Sequence, residues 1–145
     1  MEINVKKLRD NAVIPTRGSE YAAGYDLYAA IDETVVIGPH ETQKIGTGLS
    51  FELPENTFGM IVARSGLATK EGLRPANCSG ICDSDYRGEY IIALHNDSDE
   101  IRYVEPNERI AQLILMSYVP MTFSLVDELT ITERGEGGFG STGKN

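Results

Sequence analysis

The stretch Asn77-Cys78-Ser79-Gly80-Ile81-Cys82-Asp83-Ser84-Asp85-Tyr86-Arg87-Gly88-Glu89 gathers the side chains of this sequence best suited to chemistry. Gly80 and Gly88 carry no Cβ, so the backbone there can bend or approach a ligand closely. A carboxylate such as Asp83 can hold a water and accept its proton. Tyr86 adds a flat apolar ring with a polar tip. Lying between two runs that read as strands, the stretch fits a recognition hairpin. An ordinary acidic turn has the same local composition, because Asp-Ser-Asp favours turns through side-chain to backbone hydrogen bonds.

Four other places carry reactive or phosphate-binding residue types. Asp26 stands alone among apolar neighbours in Tyr21–Ala30 and must be hydrogen-bonded, paired or at an open edge, since a bare buried charge is costly. Arg64-Ser65-Gly66 combines a guanidinium fork, a hydroxyl and a glycine that exposes backbone amides, a set suited to phosphate, allowed at the start of a short helix and also common in surface turns. Arg109 and Gln112 are polar outliers in the apolar run to Leu115 and need partners. The carboxyl-terminal segment offers Arg134 as a fork for phosphate, Phe139 as a stacking face, and Gly140-Ser141-Thr142-Gly143 as backbone and hydroxyl donors. Gly138 to Lys144 has the spacing of a Walker loop, but Asn145 follows the lysine and no helix follows it, so that match is rejected.

Positioning these groups calls for strands. Glu2–Leu8, Thr34–Ile37, Thr42–Leu53, Phe58–Ala63, Tyr90–Leu94, Ile101–Val104, Arg109–Leu115 and Tyr118–Val126 alternate or are β-branched, with turn residues between them. Asn11–Glu20 reads as a loop, and Tyr90–Leu94 with Ile101–Val104 as a hairpin. Leu49, Phe51 and Leu53 share one face. With nine or ten short strands, no convincing helix and no internal repeat, the fold class is all-β, a sandwich or barrel.

A chain of 145 residues is the size of one domain. Residues 1–132 read as a single β domain and 133–145 as a glycine-rich arm that cannot be a core element. The net charge of −9 argues against a nucleic-acid backbone as partner, while a small anion remains possible where positive charge is local or a metal is recruited. With no apolar run near 18 residues and no secretory pattern, a soluble intracellular protein without a membrane partner is expected. Cys78 and Cys82 would lie about 13 Å apart in extended chain, too far for a disulfide, and with His40 and His95 distant in sequence they make a poor zinc signature.

Five segments, in order, resemble the five motifs of the trimeric dUTPases: Ala23-Gly24-Tyr25-Asp26-Leu27, Arg64-Ser65-Gly66-Leu67-Ala68, Gly80 to Gly88, Arg109-Ile110-Ala111-Gln112-Leu113-Ile114, and Arg134 to Gly143. The resemblance covers the chain nearly end to end. It implies a jelly-roll or distorted-barrel subunit in a homotrimer with exchanged tails, hydrolysing dUTP to dUMP and pyrophosphate with Mg2+. It also implies the consequences of that reaction, limiting uracil in DNA and supplying dUMP for thymidylate synthesis.

By the same resemblance Asp83 is the carboxylate that orients and deprotonates the water attacking the α-phosphorus. Asn77, the backbone at Gly80 and Ile81, and Ile91 line a uracil pocket, and Tyr86 packs against the deoxyribose where a 2′-hydroxyl would clash. Arg64, Ser65, Gly66 and Gln112 hold phosphates, Arg134 reaches the γ-phosphate, Phe139 lies over the base, and Gly140 and Ser141 follow the triphosphate. Asp26 acts through metal-bound water, with Mg2+ held mainly by the phosphates, or pairs with an arginine. Ala63, Ala76, Ser79 and Cys82 depart from the motifs and bear on packing and pocket shape. A dCTP deaminase-like enzyme on the same fold and a trimeric module that binds nucleotide without turnover are the competing readings. The Asp-Ser-Asp-Tyr-Arg-Gly segment and the glycine-rich tail argue against the first, and Asp83 with the complete tail against the second.

Overall fold

The computed structural model describes residues 1–138. Along the chain come β1 (Asn4–Lys7), β2 (Thr16–Arg17), β3 (Tyr25–Tyr28), β4 (Val35–Ile37), β5 (Thr42–Gly46), β6 (Leu49–Glu52) and β7 (Thr57–Val62). The single helix among the described residues, α1 (Ser65–Lys70), leads into β8 (Leu73–Pro75), β9 (Gly80–Asp83), β10 (Ile91–Asn96), β11 (Arg102–Val104) and β12 (Arg109–Ser117). The fold class is all-β, as expected.

The sheet that matters for the site has the order β2-β3-β12-β7-β9, and a second runs β5-β10-β8. Two-stranded pairs β1-β6 and β4-β11 complete the pairings. Apolar side chains from these sheets form one core that includes Leu27, Ile37, Ile45, Leu49, Ile61, Leu94 and Ile110. Leu49, Phe51 and Leu53 are all buried, so the expected face is the core face. No helix of the described residues is long and apolar enough to cross a membrane.

Four local expectations are corrected. The run Thr42–Leu53 is two strands, because Gly48 sits at φ +66°, a left-handed conformation that interrupts the ladder, and a Cβ there would stand 2.8 Å from that of Ala12. Tyr90–Leu94 and Ile101–Val104 do not form a hairpin. The fully buried Asn96 donates to the carbonyls of Ile37, Gly38 and Glu100 and accepts from Ser98, turning the chain so that β11 pairs with β4.

The loop Asn11–Glu20 contributes a two-residue strand, β2, to the edge of the large sheet. The Arg-Ser-Gly stretch starts the short helix α1, the alternative that its sequence allowed. Tyr118–Val126 is not a strand. Val119, Phe123 and Leu125 are exposed there, and a strand with no partner leaves its backbone groups unpaired.

Candidate active site

The central segment is more than a hairpin. β8 and β10 form an antiparallel stem, with Pro75 opposite Leu94, while the excursion between them adds β9 to the edge of β7 in the other sheet. Strand alternation then sorts the side chains. Gly80 and Cys82 turn toward the core, and Ile81 and Asp83 are exposed. Close packing favours glycine at 80: a Cβ would lie 3.0 Å from the Ile61 Cβ and 3.4 Å from the Asn77 amide nitrogen.

Between β9 and β10 opens a cleft of about 280 Å3. It brings together Asn77, Gly80, Ile81, Asp83, Tyr86 and Ile91, six positions anticipated from sequence. The Tyr86 amide closes a turn onto the Asp83 carbonyl at 3.1 Å, and its hydroxyl donates to the Glu89 carbonyl at 3.1 Å. A Cβ at Gly88 would collide with the Tyr86 hydroxyl, so Gly88 leaves room for the ring. A side-chain amide, strand backbone, an exposed carboxylate and an aromatic ring thus face one space.

Glu89, Cys82 and Tyr90 also line the cleft and were not singled out as site residues. The sequence marks Cys82 as a free thiol and a departure from the motif, and Tyr90 as the start of a strand. The Tyr90 ring packs 4.6 Å from Phe51 and 6.1 Å from Tyr86. Its hydroxyl is buried beside the Cys82 thiol, a weak hydrogen-bonding group, and has no oxygen or nitrogen partner among the described residues. Burial pushes both the Cys82 thiol and the Tyr90 phenol above their ordinary pKa values. Both cysteines are free thiols, Cys78 exposed and Cys82 half-buried.

A second cluster forms where β3, β12 and β7 lie side by side. Register places Gln112 opposite Asp26 on one side and Val62 on the other, and Arg64 follows at the end of β7. Asp26, 3% exposed, receives Arg64 Nε at 3.1 Å and Gln112 Nε2 at 3.3 Å on Oδ1, and Arg109 Nη1 at 3.2 Å on Oδ2. These donors answer the demand for partners made by Asp26, Arg109 and Gln112 together. Two guanidinium charges against one carboxylate leave the cluster positive, as a phosphate site requires. Ser65 and Gly66 are exposed beside it at the start of α1.

The two clusters do not line one cleft. Arg64, Ser65, Gly66, Gln112 and Arg134 are not among the residues that line the cleft. Arg134 is exposed and donates Nε to the Gly137 carbonyl at 2.9 Å. Phe139, Gly140 and Ser141 lie outside the described residues.

For Mg2+, the donors of Asp26 decide the fit. Both of its oxygens accept from cationic or amide groups, and no group of three His, Cys, Asp or Glu side chains gathers among the described residues. Mg2+ needs near-octahedral oxygen ligands and usually keeps several waters, so these residues offer no protein cage for the ion and fit one that would be carried by phosphates.

The family model for dUTPase matches residues 10–143. The chain is 46% identical over 144 residues to the deoxyuridine 5'-triphosphate nucleotidohydrolase of Nautilia profundicola, covering 99% of this chain and 100% of that one. It is 45% identical to the protein of the same name from Oryza sativa, covering 97% of this chain and 80% of that one. Among solved structures, the Staphylococcus bacteriophage 80alpha dUTPase with dUPNHPP superposes with a TM-score of 0.89 at 32% identity, covering 98% of both chains. The dUTPase from phage phi11 of S. aureus gives 0.79 at 26% identity, covering 89% of this chain and 98% of that one. This chain belongs to the dUTPase family.

Proposed function

We propose that the chain hydrolyses dUTP to dUMP and pyrophosphate by attack of a water on the α-phosphorus, with Asp83 as the group that orients the water and takes its proton. Family membership makes it a dUTP nucleotidohydrolase. The observation that carries the residue roles is the convergence of Asn77, Gly80, Ile81, Asp83, Tyr86 and Ile91 on one cleft. The backbone and amide groups there are suited to read uracil, and mismatched buried polar groups would refuse cytosine at about 1 to 3 kcal/mol each. Tyr86 stands where a ribose 2′-hydroxyl would clash.

Arg64 and Gln112, held by Asp26, are the proposed phosphate ligands with Ser65 and Gly66. Mg2+ bound to the triphosphate would offset its charge. The separation of this cluster from the cleft within one chain supports a site completed by neighbouring copies in a homotrimer. The 133–145 arm, through Arg134, Phe139, Gly140 and Ser141, would close over bound nucleotide and exclude bulk water. Removing dUTP limits uracil in DNA, and its product dUMP is a precursor for thymidylate.

Steady-state kinetics with dUTP, dTTP, dCTP and UTP test the reading. Turnover of dUTP with release of pyrophosphate, and little with the other three, is expected. Ammonia released from dCTP, or dUTP bound without turnover, would overturn it.

A further inference from the structure

The Tyr86 ring is 45% exposed, so packing alone does not fix its orientation. Its hydroxyl is anchored on the Glu89 carbonyl, which makes the position of Glu89 decisive. The Glu89 side chain is tied in turn to the β5–β6 turn. Its carboxylate accepts the Gly48 amide at 2.8 Å and the Arg9 guanidinium, and Arg9 also donates to the Ala30 carbonyl at 2.7 Å. A Cβ at Gly46 would collide with both the Glu89 and Arg9 side chains, so the turn is shaped around this pair.

The flanking backbone is fastened to the same turn. Thr47, fully buried, donates its hydroxyl to the Tyr90 carbonyl at 2.7 Å, and Ser50, 6% exposed, donates to the Arg87 carbonyl at 2.7 Å. Buried hydroxyls in a core are retained where they have such partners. Here their acceptors are carbonyls of the segment that carries Tyr86.

We propose that Glu89, clasped by Arg9 and the Gly48 amide, is a positioning residue for Tyr86 and so sets how strictly the site separates deoxyribose from ribose. This rests on Tyr86 being the wall under the sugar. Glu89 touches no reacting atom in this scheme; it acts by holding the carbonyl on which Tyr86 is anchored. Loosening that anchor lets the ring yield to a 2′-hydroxyl, and small steric differences of this kind are worth about 10- to 200-fold in selectivity.

The test is the ratio of kcat/KM for dUTP to that for UTP in Glu89→Ala, Tyr86→Phe and the double variant, with melting temperatures alongside. Glu89→Ala is expected to lower the ratio about tenfold. In the Tyr86→Phe background the same change should have little further effect, because the hydroxyl anchor is already gone. Arg9→Met, at a 42% exposed side chain, should lower the ratio in the same direction and stands in if Glu89→Ala fails to fold. An unchanged ratio in the folded variants, even with both rates or the melting temperature reduced, overturns the proposal. Tyr86→Ala separates the causes: if it too leaves the ratio unchanged, the reading of Tyr86 falls with the proposal, whereas a collapse there alone leaves that reading standing.

Discussion

Replacing Asp26 by Asn tests the arginine cluster most sharply. The side chain is 5% exposed and its carboxylate serves three donors, so neutralising it leaves Arg64 and Arg109 facing an amide. Arg64 is only 26% exposed, and losing a hydrogen bond to a charged group there costs about 1.5 to 3 kcal/mol. Arg109 is 48% exposed and solvent screens it, so its share is about 0 to 1 kcal/mol. A total near 3 kcal/mol lowers the melting temperature by about 9 °C for a domain of this size. Urea unfolding at one fixed protein concentration measures it, so that the proposed assembly, if it forms, contributes equally to parent and variant. The KM for dUTP should rise as well, because Arg64 and Gln112 lose the group that aims them. A variant within about 0.5 kcal/mol of the parent would refute the pairing argument. If that stable variant instead needed more Mg2+, Asp26 would be serving the metal rather than the arginines.

Other consequences follow from single groups. Tyr90→Phe removes a buried hydroxyl whose one polar neighbour is the weakly bonding Cys82 thiol, so stability should be unchanged or gain up to about 1 kcal/mol in urea unfolding; a loss of more than about 1 kcal/mol would mean the hydroxyl has a strong partner. Because burial raises the Cys82 pKa, its thiolate is scarce at neutral pH, and iodoacetamide should label exposed Cys78 first, as peptide mapping would show. The same shift means the folded chain holds the Cys82 proton more tightly than the unfolded one. Its contribution to stability is complete below the unfolded thiol pKa and is lost as pH rises through the folded value. Truncation after Glu133 should leave an assembled protein of near-parental melting temperature with little turnover; normal turnover would show the arm to be dispensable.

The need for partners was legible in sequence where the partners' identities were not. Asp26, Arg109 and Gln112 each stood out as polar residues in apolar runs, and only sheet register brought them onto one carboxylate. Alternation similarly revealed strands without saying what they pair with. Ile101–Val104 reads equally well as a partner for β10 or β4, and the side-chain bonds of Asn96 choose β4. Tyr118–Val126 has strand composition, but no neighbouring strand in its own chain pairs with it. The cleft was the most legible part because Gly80, Ile81, Asp83 and Tyr86 lie close together in one short stretch of sequence. Glu89 was missed because its carboxylate reaches Arg9, 80 positions away, a contact that local reading cannot supply.

The most direct measurement is single-turnover pyrophosphate release by Asp83→Asn beside binding of a non-hydrolysable dUTP analogue. Asparagine keeps the shape and an acceptor but gives up the basic oxygen, so the analogue should bind within about threefold of the parent while the rate falls by about 100-fold or more. Release at a rate comparable to the parent would show that some other group takes the proton and would remove Asp83 from the centre of the reaction.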